Sequence, residues 1–217
     1  MNLYIITGAS KGIGLALKDI LESSGDVIDI SRNSENHPTD LMNAKEADIA
    51  LDKVFKTINL ENYRLVCLFN NAASIGPVGN LKTLSKSKIL STIQLNLTSP
   101  ILLTSSLMNN LTTYKGQIKI ANISSGVATN PLPDWAIYSC TKAALENFSR
   151  STDLQLGDRG SCYTINPGIV DTNMQQEIRE ISANDFSEVD RFKSFKEQGH
   201  LQSPKSVARN ILDQMKI

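Results

Sequence analysis

Short apolar runs that alternate with long helical patterns constrain the fold of this chain more than any other feature. We predict strands at residues 2–7, 26–31, 64–69, 117–124 and 160–166, with a weaker strand near residues 37–40. We predict helices at residues 12–24, 43–58, 84–113, 134–157, 174–197 and 204–216. The run at residues 65–69 is apolar throughout, which is typical of a strand buried on both faces of a parallel sheet. The alternation predicts an α/β fold, a doubly wound (Rossmann-type) parallel sheet with helices on both faces.

The length and charge balance of the chain argue against several classes of protein. A chain of 217 residues with 41% apolar residues can bury the core of one α/β domain, so we expect residues 1–217 to form a single domain. Lysine plus arginine and aspartate plus glutamate both total 22, which argues against a nucleic-acid-binding protein and a protein of the membrane surface. No apolar stretch approaches the roughly 18 residues that a membrane span needs.

The cysteines and histidines indicate a cytoplasmic protein without a metal site. The three cysteines are unpatterned and form no C-x-x-C motif, so we expect reduced thiols. His37 and His200 are too few and too scattered to bind a metal ion. Met1 is followed at once by a strand-like segment, so we expect no signal peptide.

Three glycines follow the first predicted strand and open the first predicted helix. Gly8, Gly12 and Gly14 have the spacing G-x-x-x-G-x-G, in the strand-to-helix context that a phosphate-binding turn requires. Glycine lets the backbone approach a pyrophosphate, and the helix N-terminus adds free N–H groups and a partial positive charge. The alternative interpretation is a tight turn without a ligand. The surrounding elements and the residues downstream favour nucleotide binding.

The end of the second predicted strand indicates which nucleotide binds. A protein that binds NAD usually has an acid here for the ribose hydroxyls, but this chain has Ser31 and Arg32, with Asp29 two residues too early. Lys11 adds a second cation within the glycine turn. Two cations and a hydroxyl suit a 2′-phosphate, which favours NADP(H). In the alternative interpretation, Arg32 and Lys11 are surface charges surrounded by water.

A tyrosine and a lysine four residues apart carry the expected chemistry. Tyr138 and Lys142 would share one face of a helix, and Ser125 follows an apolar run 13 residues before the tyrosine. A tyrosine hydroxyl has an unperturbed pKa of ~10, and we expect the Lys142 ammonium to lower it by favouring the phenolate. Ser125 would hydrogen-bond a substrate carbonyl to which Tyr138 donates a proton, as in a carbonyl reductase. Because Y-x-x-x-K alone is usually a surface pair, the argument depends on the whole combination.

These motifs together resemble the short-chain dehydrogenase/reductase family, and the resemblance covers nearly the whole chain. Residues 7–14 match its T-G-x-x-x-G-x-G turn, and residues 70–73 resemble its N-N-A-G motif with alanine in the last position. Ser125, Tyr138 and Lys142 match three catalytic residues of the family. Asn96 matches the fourth catalytic residue, which orders a water that links the lysine to solvent.

The family resemblance also implies the residues that bind NADP(H). Asp40 and Leu41 lie where the family holds the adenine, and residues 167–172 resemble the segment that fixes the nicotinamide amide. The expected cofactor-binding residues are Gly8, Ser10, Lys11, Gly12, Ile13, Gly14, Ser31, Arg32, Asp40, Leu41, Asn71, Ala72, Tyr138, Lys142, Gly168, Val170 and Thr172.

Within the family, three segments are similar to the sepiapterin reductase and benzil reductase group. They lie at residues 135–140, 170–176 and 191–204. The resemblance implies NADPH-dependent reduction of one ketone of a small activated substrate such as a 1,2-dicarbonyl. The expected substrate-binding residues are Ser125, Gly126, Trp135, Tyr138 and Met174. For Trp135, packing against its own helix is an equally good interpretation.

One departure from the family pattern bears on the substrate and on assembly. The last predicted element is a helix, and we expect the family's final strand to be missing. Sepiapterin reductase binds its pterin through an acid in that tail, so we rank sepiapterin reduction below dicarbonyl reduction. The missing strand removes an edge that tetrameric relatives use, so we expect a homodimer through the helices predicted at residues 84–113 and 134–157.

Two further functions compete with dicarbonyl reduction. Reduction of 3-oxoacyl thioesters on a carrier protein would favour a basic docking patch near the site, and the sequence has no such cluster. A noncatalytic NADP-binding sensor would tolerate loss of the catalytic residues. All four of those residues are present, which argues for turnover.

Overall fold

The computed structural model describes all 217 residues and contains one parallel sheet of five strands. The strands are β1 (Asn2–Thr7), β2 (Asp26–Ile30), β3 (Leu65–Asn70), β4 (Gln117–Ile123) and β5 (Gly160–Ile165). Their order across the sheet is β2-β1-β3-β4-β5, and each neighbouring pair is parallel. The five main strand predictions are confirmed to within a residue. The weak strand predicted near residues 37–40 is only a bridge between Ser31 and Pro38.

Eight α-helices surround the sheet. They are α1 (Gly12–Leu21), α2 (Ala44–Phe55), α3 (Lys86–Ile93), α4 (Ser99–Asn110), α5 (Ala136–Leu156), α6 (Asn173–Arg179), α7 (Val189–Glu197) and α8 (Pro204–Met215). Apolar side chains of α1 and α8 pack on one face of the sheet, and those of α2, α4 and α5 on the other. The predicted doubly wound architecture is confirmed. β5 forms an edge and pairs only with β4, consistent with the expected absence of a final strand.

The helix predicted at residues 84–113 is divided by a π-helical turn. α3 and α4 are joined through residues 94–98, whose hydrogen bonds span five residues instead of four. Pro100 lies in the first turn of α4 and has no N–H to donate to the carbonyl of Asn96 four residues earlier. The resulting bulge places Asn96, which is 1% exposed, in the interior.

The helix predicted at residues 174–197 is wrong as one continuous element. The chain leaves the helix after α6 and re-enters it at α7. Phe186 lies between them, fully buried and stacked on Trp135 with ring centroids 4.9 Å apart. The backbone N–H and hydroxyl of Ser187 both donate to the Asp134 carboxylate, at 2.9 and 2.7 Å. These tertiary contacts stabilise the break, and none of them is local in sequence.

The order of the strands creates a crevice at the carboxyl end of β1. β2 lies on one side of β1 and β3 on the other, so the connections leaving β1 and β3 diverge there. In open α/β sheets, such a topological switch point is where ligands bind. Gly8 follows β1, and Asn71 follows β3, so both lie at this crevice. None of the helices is both long and apolar enough to cross a membrane.

Candidate active site

The turn after β1 has the backbone geometry that only glycine adopts easily. Gly8 and Gly12 have φ values of 69° and 59°. A Cβ on Gly8 would lie 3.1 Å from the Cα of Ala72. A Cβ on Gly14 would overlap the carbonyl oxygen of Gly8, so Gly14 is needed for close packing of the helix on the turn.

Two polar side chains fix the glycine turn against the end of β3. The hydroxyl of Thr7 accepts hydrogen bonds from the backbone N–H groups of Asn71 and Ala72, at 2.9 and 3.0 Å. The carboxamide of Asn71 donates to the carbonyls of Thr7 and Gly8, at 3.0 and 3.2 Å. The turn is therefore rigidly positioned at the switch point.

A cavity of about 260 Å³ extends from the glycine turn along the carboxyl ends of the strands. Fourteen of the expected cofactor-binding residues line it: Gly8, Ser10, Lys11, Gly12, Ile13, Ser31, Arg32, Asp40, Leu41, Asn71, Ala72, Tyr138, Lys142 and Thr172. Three do not: Gly14 packs behind the turn, and Gly168 and Val170 line a neighbouring cavity instead. The cradle that a Cβ would fill, followed by a helix N-terminus, fits the pyrophosphate of a dinucleotide. Sequence reasoning missed Asn33, Thr39 and Met42, which also line this cavity.

The end of this cavity near β2 combines cations with nearby carboxylates. Arg32 is exposed and forms no ion pair, whereas the ammonium of Lys11 lies 3.9 Å from the carboxylate of Glu177 on α6. The hydroxyl of Ser31 donates to the carboxylate of Asp29 at 3.0 Å. The second oxygen of that carboxylate is shielded from solvent and has no partner. Ser31 therefore presents its oxygen chiefly as an acceptor.

Tyr138 and Lys142 lie on the inward face of α5, beside the end of β4. They are 7% and 3% exposed, and the lysine ammonium lies 5.7 Å from the centroid of the tyrosine ring. The ammonium donates to the carbonyl of Ile123 at 2.7 Å. Ser125, two residues beyond β4, lies near the Tyr138 hydroxyl, and both residues line one cavity. The structure thus brings the three predicted residues together.

Burial controls the titration of both α5 residues. It raises the pKa of Tyr138 to about 12, opposed by the nearby Ser125 hydroxyl, and lowers the pKa of Lys142 to about 8. The expected lowering of the tyrosine pKa by Lys142 is wrong for the cofactor-free chain. The reason is that desolvation of the phenolate dominates, and the opposing contribution comes from Ser125 and not from the Lys142 ammonium.

Asn96 lies behind the site and lines neither cavity. Its carboxamide accepts from the backbone N–H of Ser74 at 2.9 Å and donates to the Ser74 carbonyl at 2.8 Å. It also donates at 3.3 Å to the hydroxyl of Thr141, which in turn donates at 2.8 Å to the Tyr138 carbonyl. Asn96 therefore ties the segment after β3 to the helix that carries Tyr138 and Lys142.

A second cavity of about 510 Å³ adjoins the first. All five expected substrate-binding residues line it: Ser125, Gly126, Trp135, Tyr138 and Met174. Tyr138 and Met174 line both cavities. Much of the wall comes from residues that sequence reasoning missed, among them Gln175 on α6 and Arg191, Phe192 and Phe195 on α7.

An aromatic cluster makes one wall of this second cavity. Trp135 contacts Tyr138 edge-on at 5.6 Å between ring centroids, and Phe192 at 5.2 Å. Phe192 contacts Phe195 at 5.7 Å. The three-residue spacing of the two phenylalanines on one helix was the available sequence signal, but it does not say which surface they face. The packing of α7 against Trp135 decides that.

Comparison with known proteins agrees with this geometry. The family model described as short chain dehydrogenase matches residues 2–183. Benzil reductase ((S)-benzoin forming) of Bacillus subtilis is 34% identical over 224 residues, which cover 98% of this chain and 92% of the relative. The enzyme of the same name from Bacillus cereus is 32% identical over 235 residues, covering 98% and 94%.

A solved structure supports the fold independently. The crystal structure of the KRED1-Pglu enzyme superposes with a TM-score of 0.85 at 24% identity, covering 99% of this chain and 95% of that one. No group of three or more histidine, cysteine, aspartate or glutamate side chains is arranged to hold a metal ion.

Proposed function

The chain belongs to the short-chain dehydrogenase/reductase family, an oxidoreductase family that binds nicotinamide cofactors, and we propose that it is an NADPH-dependent carbonyl reductase. Its substrate in this proposal is a small activated ketone, a 1,2-dicarbonyl such as benzil, of which one ketone is reduced to the alcohol.

The position of Tyr138 between the two cavities carries this proposal. One cavity contains the glycine turn and the other the aromatic wall, and the phenol belongs to both. A bound nicotinamide cofactor would supply the hydride. A carbonyl in the second cavity would meet both the hydride donor and the proton donor only near Tyr138, which is the requirement for reducing a ketone.

The side chains around Tyr138 suit proton donation. With its pKa raised to about 12, Tyr138 is protonated at neutral pH and is ready to act as the acid in the direction of reduction. Ser125 can hold the substrate oxygen and stabilise its developing negative charge. The Lys142 ammonium, next to the tyrosine ring, favours the tyrosinate that remains after the proton has left.

The second cavity supports the proposed substrate class. Its wall includes Trp135, Phe192 and Phe195, which offer ring faces and edges to an aryl ketone. Two relatives that match 98% of this chain are described as benzil reductases. Benzil, with two phenyl rings and adjacent carbonyls, is therefore the first substrate to test.

The preference for NADPH depends on the cations near β2. Arg32 has no ion-pair partner and is free to meet a 2′-phosphate, whereas Lys11 must first leave Glu177. The Asp29 carboxylate behind Ser31 opposes a phosphate at this position. We propose that Arg32 outweighs this repulsion.

Oxidation of the reduced cofactor tests the proposal directly. Wild-type protein and Tyr138→Phe are compared with benzil, sepiapterin and acetone, each with NADPH and with NADH. We expect benzil turnover with NADPH that falls by about 100-fold or more in Tyr138→Phe, since general acid catalysis typically contributes that much. Urea unfolding serves as the control for folding, because the substituted ring keeps its packing, and calorimetry measures NADPH binding separately.

The other possible outcomes identify different functions. Faster turnover of sepiapterin than of benzil would place the enzyme with pterin reductases. Tight NADPH binding without turnover of any ketone would contradict the proposal and favour a sensor. Turnover of 3-oxoacyl thioesters alone would contradict the dicarbonyl substrate class.

The proposal also covers the oligomeric state of the protein and its location in the cell. We propose a homodimer through α3, α4 and α5, whose outer surface includes the large exposed side chains Leu90 and Leu154. Sedimentation equilibrium of the full chain tests this assembly. We propose a cytoplasmic location, in keeping with three cysteines that are free thiols.

A further inference from the structure

Gln175 has an unusual environment for a polar side chain at the start of a short helix. It is 4% exposed and lines the second cavity together with Ser125 and Tyr138. Its amide nitrogen Nε2 is shielded from solvent and has no hydrogen-bond acceptor within the chain. Leaving a buried donor unsatisfied is unfavourable, so such a group is a strong candidate for recognition of a ligand.

The orientation of the Gln175 carboxamide is fixed by a neighbour. Arg179, one turn later on α6, donates a hydrogen bond to the Gln175 oxygen Oε1. A guanidinium can only donate, so the amide cannot be turned around to place its N–H₂ group there. The N–H₂ group is therefore the end left without a partner.

The adjacent glutamine on α6 shows that burial depends on the side of the helix that a residue occupies. Gln176 is exposed, and its amide nitrogen donates to the carboxylate of Glu180 at 2.9 Å. The two glutamines differ only in which side of α6 they occupy. Gln176 is thus a matched control for substitutions at Gln175.

A second orphan donor lies in the same cavity wall. The indole N–H of Trp135 is also shielded and unpartnered, although the residue is 3% exposed and its ring is held by Phe186. Gln175 and Trp135, which carry these two N–H groups without acceptors, both line the cavity that Ser125 and Tyr138 share. A purely hydrocarbon ligand would leave both unsatisfied, whereas a ligand with an additional oxygen acceptor could satisfy one.

We infer that Gln175 is a substrate-binding residue whose N–H₂ group donates a hydrogen bond to a second oxygen of the substrate, distinct from the one that Tyr138 protonates. The inference deepens the proposed function and rests on it for the identity of the reacting carbonyl. In this inference, the hydrogen bond from Gln175 makes the enzyme prefer dicarbonyls to simple aryl ketones. The intrinsic reactivity of a dicarbonyl adds to this preference.

Two ligands that differ by one carbonyl test the inference. Benzil is compared with benzyl phenyl ketone, in which a methylene group replaces the second carbonyl. Binding is measured in the presence of NADP⁺, which permits no reduction, by the emission of Trp135, the only tryptophan in the chain. The variants are Gln175→Leu, Gln175→Glu and the control Gln176→Leu. Gln175→Glu keeps an oxygen for Arg179 but removes the N–H donor, so it guards against misfolding of the leucine variant.

We expect both Gln175 variants to bind benzil about five- to tenfold more weakly, since one hydrogen bond is lost. Binding of benzyl phenyl ketone should change less than twofold, and Gln176→Leu should match the wild type for both ligands. An equal loss of affinity for both ligands, or no loss of affinity for benzil, would overturn the inference.

The same experiment separates this inference from the proposed function. Benzil turnover by the wild type that does not depend on Gln175 would refute the inference alone. Benzil binding that depends on Gln175 without any turnover would refute the reductase alone. A failure of benzil to bind at all would refute both.

Discussion

Replacing Lys142 by methionine should change how the stability of the cofactor-free protein depends on pH. Lys142 is buried, and burial lowers its pKa to about 8 from an ordinary value of 10.5. The unfolded chain therefore holds the proton more tightly than the folded chain. Below pH ~8 the folded state bears the full penalty of a buried ammonium, and the penalty fades as the pH rises toward 10.5.

The size of this effect follows from the two pKa values. A difference of one pKa unit corresponds to about 1.4 kcal/mol, so the penalty near pH 7 is roughly 3 kcal/mol and near pH 10 roughly 1 kcal/mol. The wild type should thus gain about 2 kcal/mol of unfolding free energy relative to Lys142→Met between these pH values. Loss of the hydrogen bond to the Ile123 carbonyl lowers the stability of the variant by a similar amount at both pH values, so it cancels from the comparison.

Urea unfolding of both proteins, followed by circular dichroism between about pH 7 and pH 10, measures this difference. Lys88→Met on α3 is the control, because residue 88 is exposed and its substitution should leave the pH dependence unchanged. The reasoning would be refuted if the difference in unfolding free energy between wild type and Lys142→Met stays constant across this range. It would also be refuted if the wild type loses stability relative to the variant as the pH rises. Activity measured with benzil should be lost in Lys142→Met at every pH.

Three further substitutions test other parts of the site. Arg32→Ala should weaken NADPH binding about 10- to 100-fold while leaving NADH binding nearly unchanged, because a charge-assisted hydrogen bond to the 2′-phosphate is lost. Lys11→Ala should weaken NADPH binding less than Arg32→Ala does, since Lys11 already faces Glu177. Calorimetric titration with NADPH and with NADH measures both effects. If Arg32→Ala loses equal affinity for the two cofactors, the assignment of Arg32 to the 2′-phosphate is contradicted. Phe186→Ala should lower the unfolding free energy by about 3 kcal/mol and raise KM for benzil, because the ring is fully buried against Trp135. Urea unfolding and steady-state kinetics report these two effects, and an unchanged KM would show that the stack does not shape the cavity.

Much of the fold was predictable because its determinants are local. The strands are short runs of apolar residues, and burial on both faces of a parallel sheet selects such runs directly. The start of α8 is similarly local: the Ser203 hydroxyl accepts from the N–H of Ser206, and Pro204 occupies the first turn. The break at residues 180–188 was not predictable in this way, because contacts between distant segments stabilise it. The π-helical turn at residues 94–98 does have a local determinant, the missing N–H of Pro100.

In the candidate site, too, the features that were predictable are those with local determinants. The positive φ values of Gly8 and Gly12 leave a signal in the sequence because glycine adopts them most easily. The four-residue spacing of Tyr138 and Lys142 also leaves a signal, because one helix face brings such pairs together. The roles of these residues in binding and turnover remain predictions that the experiments above test.

The sequence by itself determined the order of the strands along the chain, the glycine turn after β1 and the spacing that places Tyr138 and Lys142 on one helix face. Only the tertiary structure decided how strongly those residues are desolvated, and therefore that the tyrosine pKa rises in the cofactor-free chain. It also decided which of two adjacent glutamines lines the second cavity. The physical reason is that desolvation and hydrogen-bond satisfaction depend on every segment packed around a group, whereas backbone conformation and helical spacing depend on the nearest residues.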